Sequence, residues 1–393
     1  MRKVLQVNIR LSEGGAAGVA RTLAEELSQL GVHSPFAYGY GKRGGSSPLE
    51  DIYDGVRMTP MPIAALNKAS YGLIGRETDL VSPKLWANFV DEVQSSDLVH
   101  LHAIHSYFIS TERLLAALIN AGKPVVWTLH DQWIMTGRCA QPGSCRRWET
   151  GCSKCPNLQA YPPAVFDHAA NRWHERYAAV SRLQEAVPTA IVACADWLGK
   201  EAAKAGLKNV QVIKNSVDRE FWNATRTAPM LAGGGIRNLF MCRDLRDRLK
   251  VNWPILERIA QLGDQRLTIV GDNPEKAPEG SVQKPAIMNR TDLALEMSAH
   301  HRLIFTSAVD YFPLTIAEAL SAGLEILALD SQAAREFERH PRVKIANTED
   351  DLVNLAREAL TPVVQPSSEE TSFFDPKRMA LEYMNVYRSL SLI

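Results

Sequence analysis

The sequence predicts an α/β protein of two domains, each built on a parallel sheet, and three observations carry that prediction. Residues 303 to 336, LIFTSAVDYFPLTIAEALSAGLEILALDSQAARE, read as strand, acidic corner, helix and strand, the βαβ unit of a parallel sheet. The start of the chain repeats the plan, an apolar run at 4–9 leading through SEGG into a helical pattern. Finally, 393 residues at 46% hydrophobic content suffice for two cores rather than one.

Composition excludes several classes of function. Lys and Arg total 44, as do Asp and Glu, so no global basic field draws nucleic acid and any phosphate site must be local. The N-terminus, MRKVLQVNIR, has no long apolar core and reads as a first strand, not a signal peptide. No run of 18 apolar residues suggests a membrane helix, so the chain is expected to be cytosolic. Six cysteines in such a setting argue against a disulfide framework.

In chain order, the first strand is followed by Gly14, Gly15 and Gly18, which allow close backbone approach at a helix N-terminus suited to an anion. A strand near 34–40 precedes a glycine- and proline-rich loop at 41–62 and an irregular helical region at 63–90. DLVHLH at 97–102 is a strand. Its histidines, with His105, raise a metal reading, but no carboxylate joins them at ligand spacing and backbone carbonyls are the simpler partners. The strand at 125–129 ends in His130 and Asp131, at the edge where ligands of parallel sheets collect.

Cys139, Cys145, Cys152 and Cys155 follow, spaced C-x5-C-x6-C-x2-C. A C-x-x-C knuckle plus two thiols favours one structural zinc over free thiols or a redox pair, and four thiolates leave no coordination position for catalysis. A helix at 167–187 has Trp173, Tyr177 and Val180 on one side and arginines on the other. A linker at 223–235 contains Gly233 and Gly234.

In the second half, a strand at 238–242 runs into RDLRDRLK, where Arg243, Arg246, Arg248 and Lys250 crowd a strand end. Residues 283–300 read as replacing the strand and helix usual at this point of such a domain. In the acidic corner Asp310 and Glu318 lie eight apart. Pro313 suits a first helical position, the free N–H groups near Phe312 and Leu314 favour phosphate, and Gly323 stops the helix.

DYFPLTIAEALSAGLEILALDS resembles the donor-site signature of glycosyltransferase family 4, retaining enzymes of the GT-B fold with two Rossmann-like domains facing a cleft. TLHDQW and the run TGRC…GCSKCP resemble a subset similar to bacterial colanic-acid and other exopolysaccharide glycosyltransferases. Three departures stand out: Asp310 for a first glutamate, no glycine before Phe312, and Glu325 where proline is common.

The resemblance implies an acceptor-side domain at 1–215 with a Cys-rich insertion at 137–160. It also implies a nucleotide-sugar domain at 216–373 and a helix at 374–393 returning to the first. Glu318 would hold ribose, Asp310 and His130 would contact the sugar, and Gly14 and Gly15 would shape the cleft. Phe312, Pro313 and Leu314 would meet the diphosphate with Arg246 and Lys250, Arg243 or Arg248 being alternatives. His102 or His105 would line the acceptor side. Residues 63–90 would be packing helices, a border to the acceptor, or a membrane contact.

The implied reaction moves a hexose, from a UDP-sugar by preference, to a lipid-linked oligosaccharide at the cytosolic membrane face, without a catalytic divalent metal. A sugar-nucleotide epimerase and a weakly active sugar-nucleotide-binding subunit are the alternatives.

Overall fold

The computed structural model describes residues 1–229, 235–273, 277–360 and 367–391. They form two compact units, Met1–Lys214 with Met379–Ile393, and Asn215–Arg378. The first boundary thus lies one residue before the expected one, and the return begins at Met379 rather than at 374.

The first unit holds a seven-stranded sheet in the order β3-β2-β1-β4-β5-β6-β7. Its strands are β1 (Val4–Asn8), β2 (Phe36–Tyr38), β3 (Val56–Arg57), β4 (Leu98–Leu101), β5 (Val125–Leu129), β6 (Thr189–Ala193) and β7 (Val210–Val212). All pairings are parallel, for example Val4 with Leu98 and Val125 with Thr189. β1, β4, β5 and β6 are buried at every position. That is why they read as unbroken apolar runs: helices cover both faces of such a sheet.

The second unit holds six parallel strands in the order β10-β9-β8-β11-β12-β13. They are β8 (Ile236–Asp244), β9 (Gln265–Asp272), β10 (Ser281–Lys284), β11 (Arg302–Phe305), β12 (Glu325–Leu329) and β13 (Val343–Ala346). Both sheets share the doubly wound order in which the chain reverses direction beside the first strand, at β1/β4 and at β8/β11. Ligand sites of open α/β sheets form at such switch points. Phe240, Leu256, Ile259, Leu267, Ile304, Leu327 and Leu352 fill one core of this unit.

Several expectations are corrected. The region 63–90 is two helices, Met61–Ile74 and Pro83–Ser95, and the loop before them contains β3. Residues 283–300 do not replace the usual strand and helix: β10 and the helix Arg290–Ser298 are both present. β10 was obscured because three of its four residues are polar and its one apolar residue, Val282, is exposed. The helix Arg219–Thr227 occupies the start of the expected linker, whose Gly233 and Gly234 lie outside the described residues. In the helix Ala169–Ala186 two of the three arginines, Arg172 and Arg176, lie on the buried face with Val180 and Leu183, while Arg182 is exposed. Arg176 lies over the Trp133 ring at 3.7 Å and donates to Trp133 O at 2.9 Å, while Arg172 pairs with Glu112 at 2.7 Å. Tyr177 is exposed. The closing helix is Pro376–Ser391.

The departure at Glu325 has a structural reason. Its carboxylate accepts from Arg302 Nε at 2.5 Å and pairs with Lys344 at 3.0 Å. Burial would push the Glu325 carboxyl up, but Lys344 and Arg302 bring it below the usual range. A fully buried Arg302 at the start of β11 requires that partner.

Candidate active site

At the switch point of the second sheet, β8 and β11 deliver their following loops side by side. Thr306 Oγ1 donates to Lys250 O at 2.7 Å, Asn252 N donates to Thr306 Oγ1 at 3.3 Å, and Ala308 N donates to Leu249 O at 2.9 Å. This lacing sets Lys250 Nζ 2.6 Å from Asp310 Oδ1. Partial burial works against the Lys250 ammonium, but the Asp310 carboxylate outweighs it and holds the group above the ordinary lysine value. Arg246 stands apart on the surface, bound to Asp244 through Nε at 3.0 Å and Nη2 at 2.8 Å. Arg243 and Arg248 are exposed. Gly271 must be glycine, because a Cβ there would lie 2.0 Å from Cys242 O on neighbouring β8.

The helix Leu314–Ser321 begins one residue later than expected, with Pro313 in extended conformation as its N-cap. No side chain caps that end, so its first N–H groups form an anion-favouring tip beside the Lys250–Asp310 corner. Phe312 is buried against Phe337 at a ring distance of 4.9 Å, which anchors the turn.

Glu318, the one charged residue of this helix, lies on its buried side. Its Oε1 accepts from Arg290 Nη2, and Arg290 Nε donates to Asp218 Oδ2 at 2.5 Å. Burial pushes the Glu318 carboxyl above its ordinary range, and Arg290 pulls it back. Asp218 also caps its own helix, accepting from Phe221 N at 2.8 Å. The sequence reading missed Arg290 and Asp218. The only local signal was NRTD at 289–292, a helix start in which Asn289 accepts from Asp292 N at 2.9 Å.

In the first unit, Gly14 is the N-cap of the helix Gly15–Gln29, with φ 95 and ψ 159, a region open essentially to glycine alone. Both glycines are exposed and no side chain caps this helix.

The histidines of β4 are satisfied by side chains, not by the backbone carbonyls expected. His100 binds Tyr387 OH and Thr128 Oγ1, each at 2.7 Å. For His102 the partners dictate the proton positions. Ser34 Oγ donates to Val4 O at 3.1 Å, so it receives Gln6 Nε2–H at 2.9 Å. Gln6 Oε1 therefore faces His102 Nε2, 2.8 Å away, which must carry the proton. A neutral His102 then offers a bare Nδ1 to His130 Nε2 at 3.0 Å. His130 donates from Nε2 and keeps a lone pair on Nδ1. Burial lowers the His102 pKa well below the usual histidine value and brings His130 down to about 4, so both rings are neutral near pH 7. Gln6 is thus a residue the sequence reading missed. Beside it, His105 Nε2 lies 2.9 Å from Asp131 Oδ2, and Asp131 accepts from Trp133 N at 2.7 Å. Burial raises the Asp131 carboxyl, yet His105 and the Trp133 amide bring it below its ordinary value.

Cys139, Cys145, Cys152 and Cys155 all line one cavity, with Trp148 and Pro142. Gly137 N donates to Cys152 Sγ at 3.2 Å. The expected tetrahedral convergence is not seen: among the described residues no group of three or more His, Cys, Asp or Glu side chains is arranged to hold a metal ion. Cys152 is buried and the other three are partly exposed, and burial pushes the Cys139 thiol up to about 11.

This geometry can be set beside known proteins. Residues 13–221 match the model of Glycosyltransferase Family 4. WcaC of Escherichia coli strain K12, a glycosyl transferase assigned to colanic acid biosynthesis, is 30% identical over 98% of this chain and 100% of its own. Among solved structures, sucrose-phosphate synthase from Thermosynechococcus elongatus superposes with a TM-score of 0.62 at 14% identity, covering 99% of each chain. HepE of Anabaena in complex with UDP and glucose gives 0.60 at 13% identity over 99% of this chain and 100% of that one. The latter two show the fold, GT-B. With the family model spanning more than half of the residues and a relative aligned end to end, this chain belongs to glycosyltransferase family 4 and is a glycosyltransferase.

Proposed function

We propose that the protein transfers a hexose, from a UDP-sugar by preference, to a lipid-linked oligosaccharide during exopolysaccharide assembly, with retention of configuration. One observation carries the reading: the second sheet's switch point gathers Lys250, Asp310 and an uncapped helix tip. A diphosphate leaving group gains negative charge as the glycosidic bond breaks, and an ammonium beside free N–H groups stabilises it without a metal. Asp310 would then exchange Lys250 for hydroxyls of the sugar, and Glu318, held by Arg290, would accept from the ribose. In the first unit, His130 offers its Nδ1 lone pair to a sugar hydroxyl. The UDP and glucose held by HepE favour this donor class, and WcaC's assignment favours the polysaccharide setting.

Turnover of a panel of nucleotide sugars by wild type and Glu318→Ala tests it. The variant is expected to keep its circular dichroism spectrum and lose transfer by at least about a hundredfold, as for a site losing a charged hydrogen bond. Unchanged turnover would remove Glu318 from the site.

The Cys-rich segment supports a second proposal, a structural zinc. Between Thr136 and Ala169 the only regular element is one short 3-10 turn, Arg147–Thr150. Such long irregular segments need a staple. Four thiols already sharing a cavity, one of them receiving a backbone N–H, suit Zn²⁺ and would hold the segment without touching the chemistry. Metal analysis of the purified chain is expected to give one zinc. A Cys152→Ser, Cys155→Ser double variant is expected to lose it and become sensitive to protease between 137 and 168. Less than about half an equivalent in the wild type would reject the proposal.

A further inference from the structure

The irregular segment between Thr136 and Ala169 carries more than four thiols: it delivers Tyr161 to the loop that follows β4. Buried Arg138 gathers the carbonyls on both sides of that tyrosine. Its Nη1 donates to Asn157 O at 3.1 Å, and its Nη2 to Leu158 O at 3.0 Å, to Ala160 O at 3.3 Å and to Pro162 O. Ala140 N donates to Tyr161 O at 3.0 Å. The phenol so placed donates to Ser106 Oγ at 2.6 Å, while 48% of the residue stays exposed. At Ser106 and Tyr107 the loop has two consecutive left-handed backbones without glycine, φ 74 and 75. Strain of this kind persists only where the surroundings over-determine it, and it collects at ligand sites. Here Tyr40 OH donates to Ser106 O at 2.8 Å and Asn67 Nδ2 to Tyr107 O at 3.1 Å.

The direction of the hydrogen bonds decides what this corner can hold. Asp131 is held as a carboxylate, so His105 Nε2, 2.9 Å away, carries a proton. In that tautomer Nδ1 takes the Ser106 hydroxyl proton, and Ser106 in turn takes the proton of Tyr161. Every step points inward, so the Tyr161 oxygen has only lone pairs to offer a ligand. Its ring meets His105 edge-on at 5.9 Å and 80°, which fixes its plane. Lone pairs beside a half-exposed aromatic face match a pyranose, whose hydroxyls donate and whose C–H groups lie on the ring. An anionic ligand would meet lone pairs and the Asp131 carboxylate where it needs donors. We propose that Tyr161 is a saccharide contact of the first unit that selects the acceptor sugar, with Ser106 and His105 as its positioning residues. The inference rests on the transferase reading above only in calling that sugar the acceptor.

Saturation-transfer NMR titration of the full chain with cellobiose, lactose and methyl β-D-glucopyranoside, without nucleotide, tests the proposal, with sorbitol as the open-chain control. Wild type is expected to bind at least one of the three and not sorbitol. Tyr161→Phe, which keeps the ring, should weaken that binding about three- to tenfold, the worth of one hydrogen bond. Tyr161→Ala should weaken it at least about tenfold, with the thermal midpoint little changed because the ring is half exposed. Ser106→Ala should cost about threefold alone and nothing further in the Tyr161→Phe background, since its effect passes through that hydroxyl. A serine serving only the stability of its loop would cost the same in both backgrounds, and that result would overturn the positioning role. Wild type binding none of the three sugars, or Tyr161→Ala binding as wild type does, would overturn the subsite. If the transferase reading alone is wrong, UDP fails to bind while the sugar still does. If the subsite alone is wrong, UDP binds and sugar binding is indifferent to Tyr161.

Discussion

Arg290 reaches two carboxylates, Asp218 and Glu318, from the first position of its helix, and it lies over the Phe221 ring at 5.3 Å. Glu318 is nearly inaccessible, so its charge depends on that guanidinium. Arg290→Ala is expected to destabilise the second unit by about 3–5 kcal/mol, because it strands a buried carboxylate. Glu318→Gln should cost less, since an amide can be buried with less penalty. Urea denaturation of the two variants gives the comparison, and equal losses would show that the pair does not govern burial here. The carboxylates Asp310 and Glu318 were readable from the sequence because their spacing is local to one βαβ unit. Arg290 was not, because its partners lie 28 and 72 residues away and only the fold brings them together. Gln6 escaped for the same reason: an amide in an apolar strand carries no mark of the histidine 96 residues later that it orients.

At the scale of elements, β4 and β5 carry a stack of neutral histidines whose rings lie 4.2 and 5.3 Å apart. Burial holds His130 at about 4, against 6.5 for an unperturbed ring. Between those values the unfolded chain binds a proton that the folded chain refuses, so stability rises with pH across the window and is lost as pH falls through it. His130 alone accounts for about 3 kcal/mol, and His100 and His102, also shifted down, add to it. The urea midpoint should therefore fall steeply from pH 7 to pH 4. A flat profile would mean that the stack is open to water. Long buried strands such as β1, β5 and β6 were legible as apolar runs. β3, two residues long, and β10, with polar side chains, were not, because sheet pairing and not composition defines them. The inward arginines of Ala169–Ala186 misled for a related reason: periodicity reports apolar faces, and Arg176 enters the core through a ring and two carbonyls.

For the whole molecule, the length and the two βαβ signals already implied two doubly wound sheets, since a parallel strand needs a crossover helix. The two units, Met1–Lys214 with Met379–Ile393 and Asn215–Arg378, each have their own core, so a ligand of one is expected to protect that one first. The closing helix was less legible. Its Tyr383 and Tyr387 reach Thr128 and His100 of the first sheet, contacts that span 255 and 287 residues.

The claim that everything else depends on is that the β8/β11 switch point holds the diphosphate of a nucleotide sugar, with Lys250 as its cation. Calorimetric titration of UDP into the full chain, beside Lys250→Ala and Asp310→Asn, tests it most directly. Lys250→Ala is expected to weaken UDP by roughly 1.5–3 kcal/mol, about ten- to a hundredfold, the worth of a charged hydrogen bond. Asp310→Asn, which releases the ammonium from its partner, should bind UDP at least as tightly as wild type. Equal affinity in wild type and Lys250→Ala would contradict the assignment.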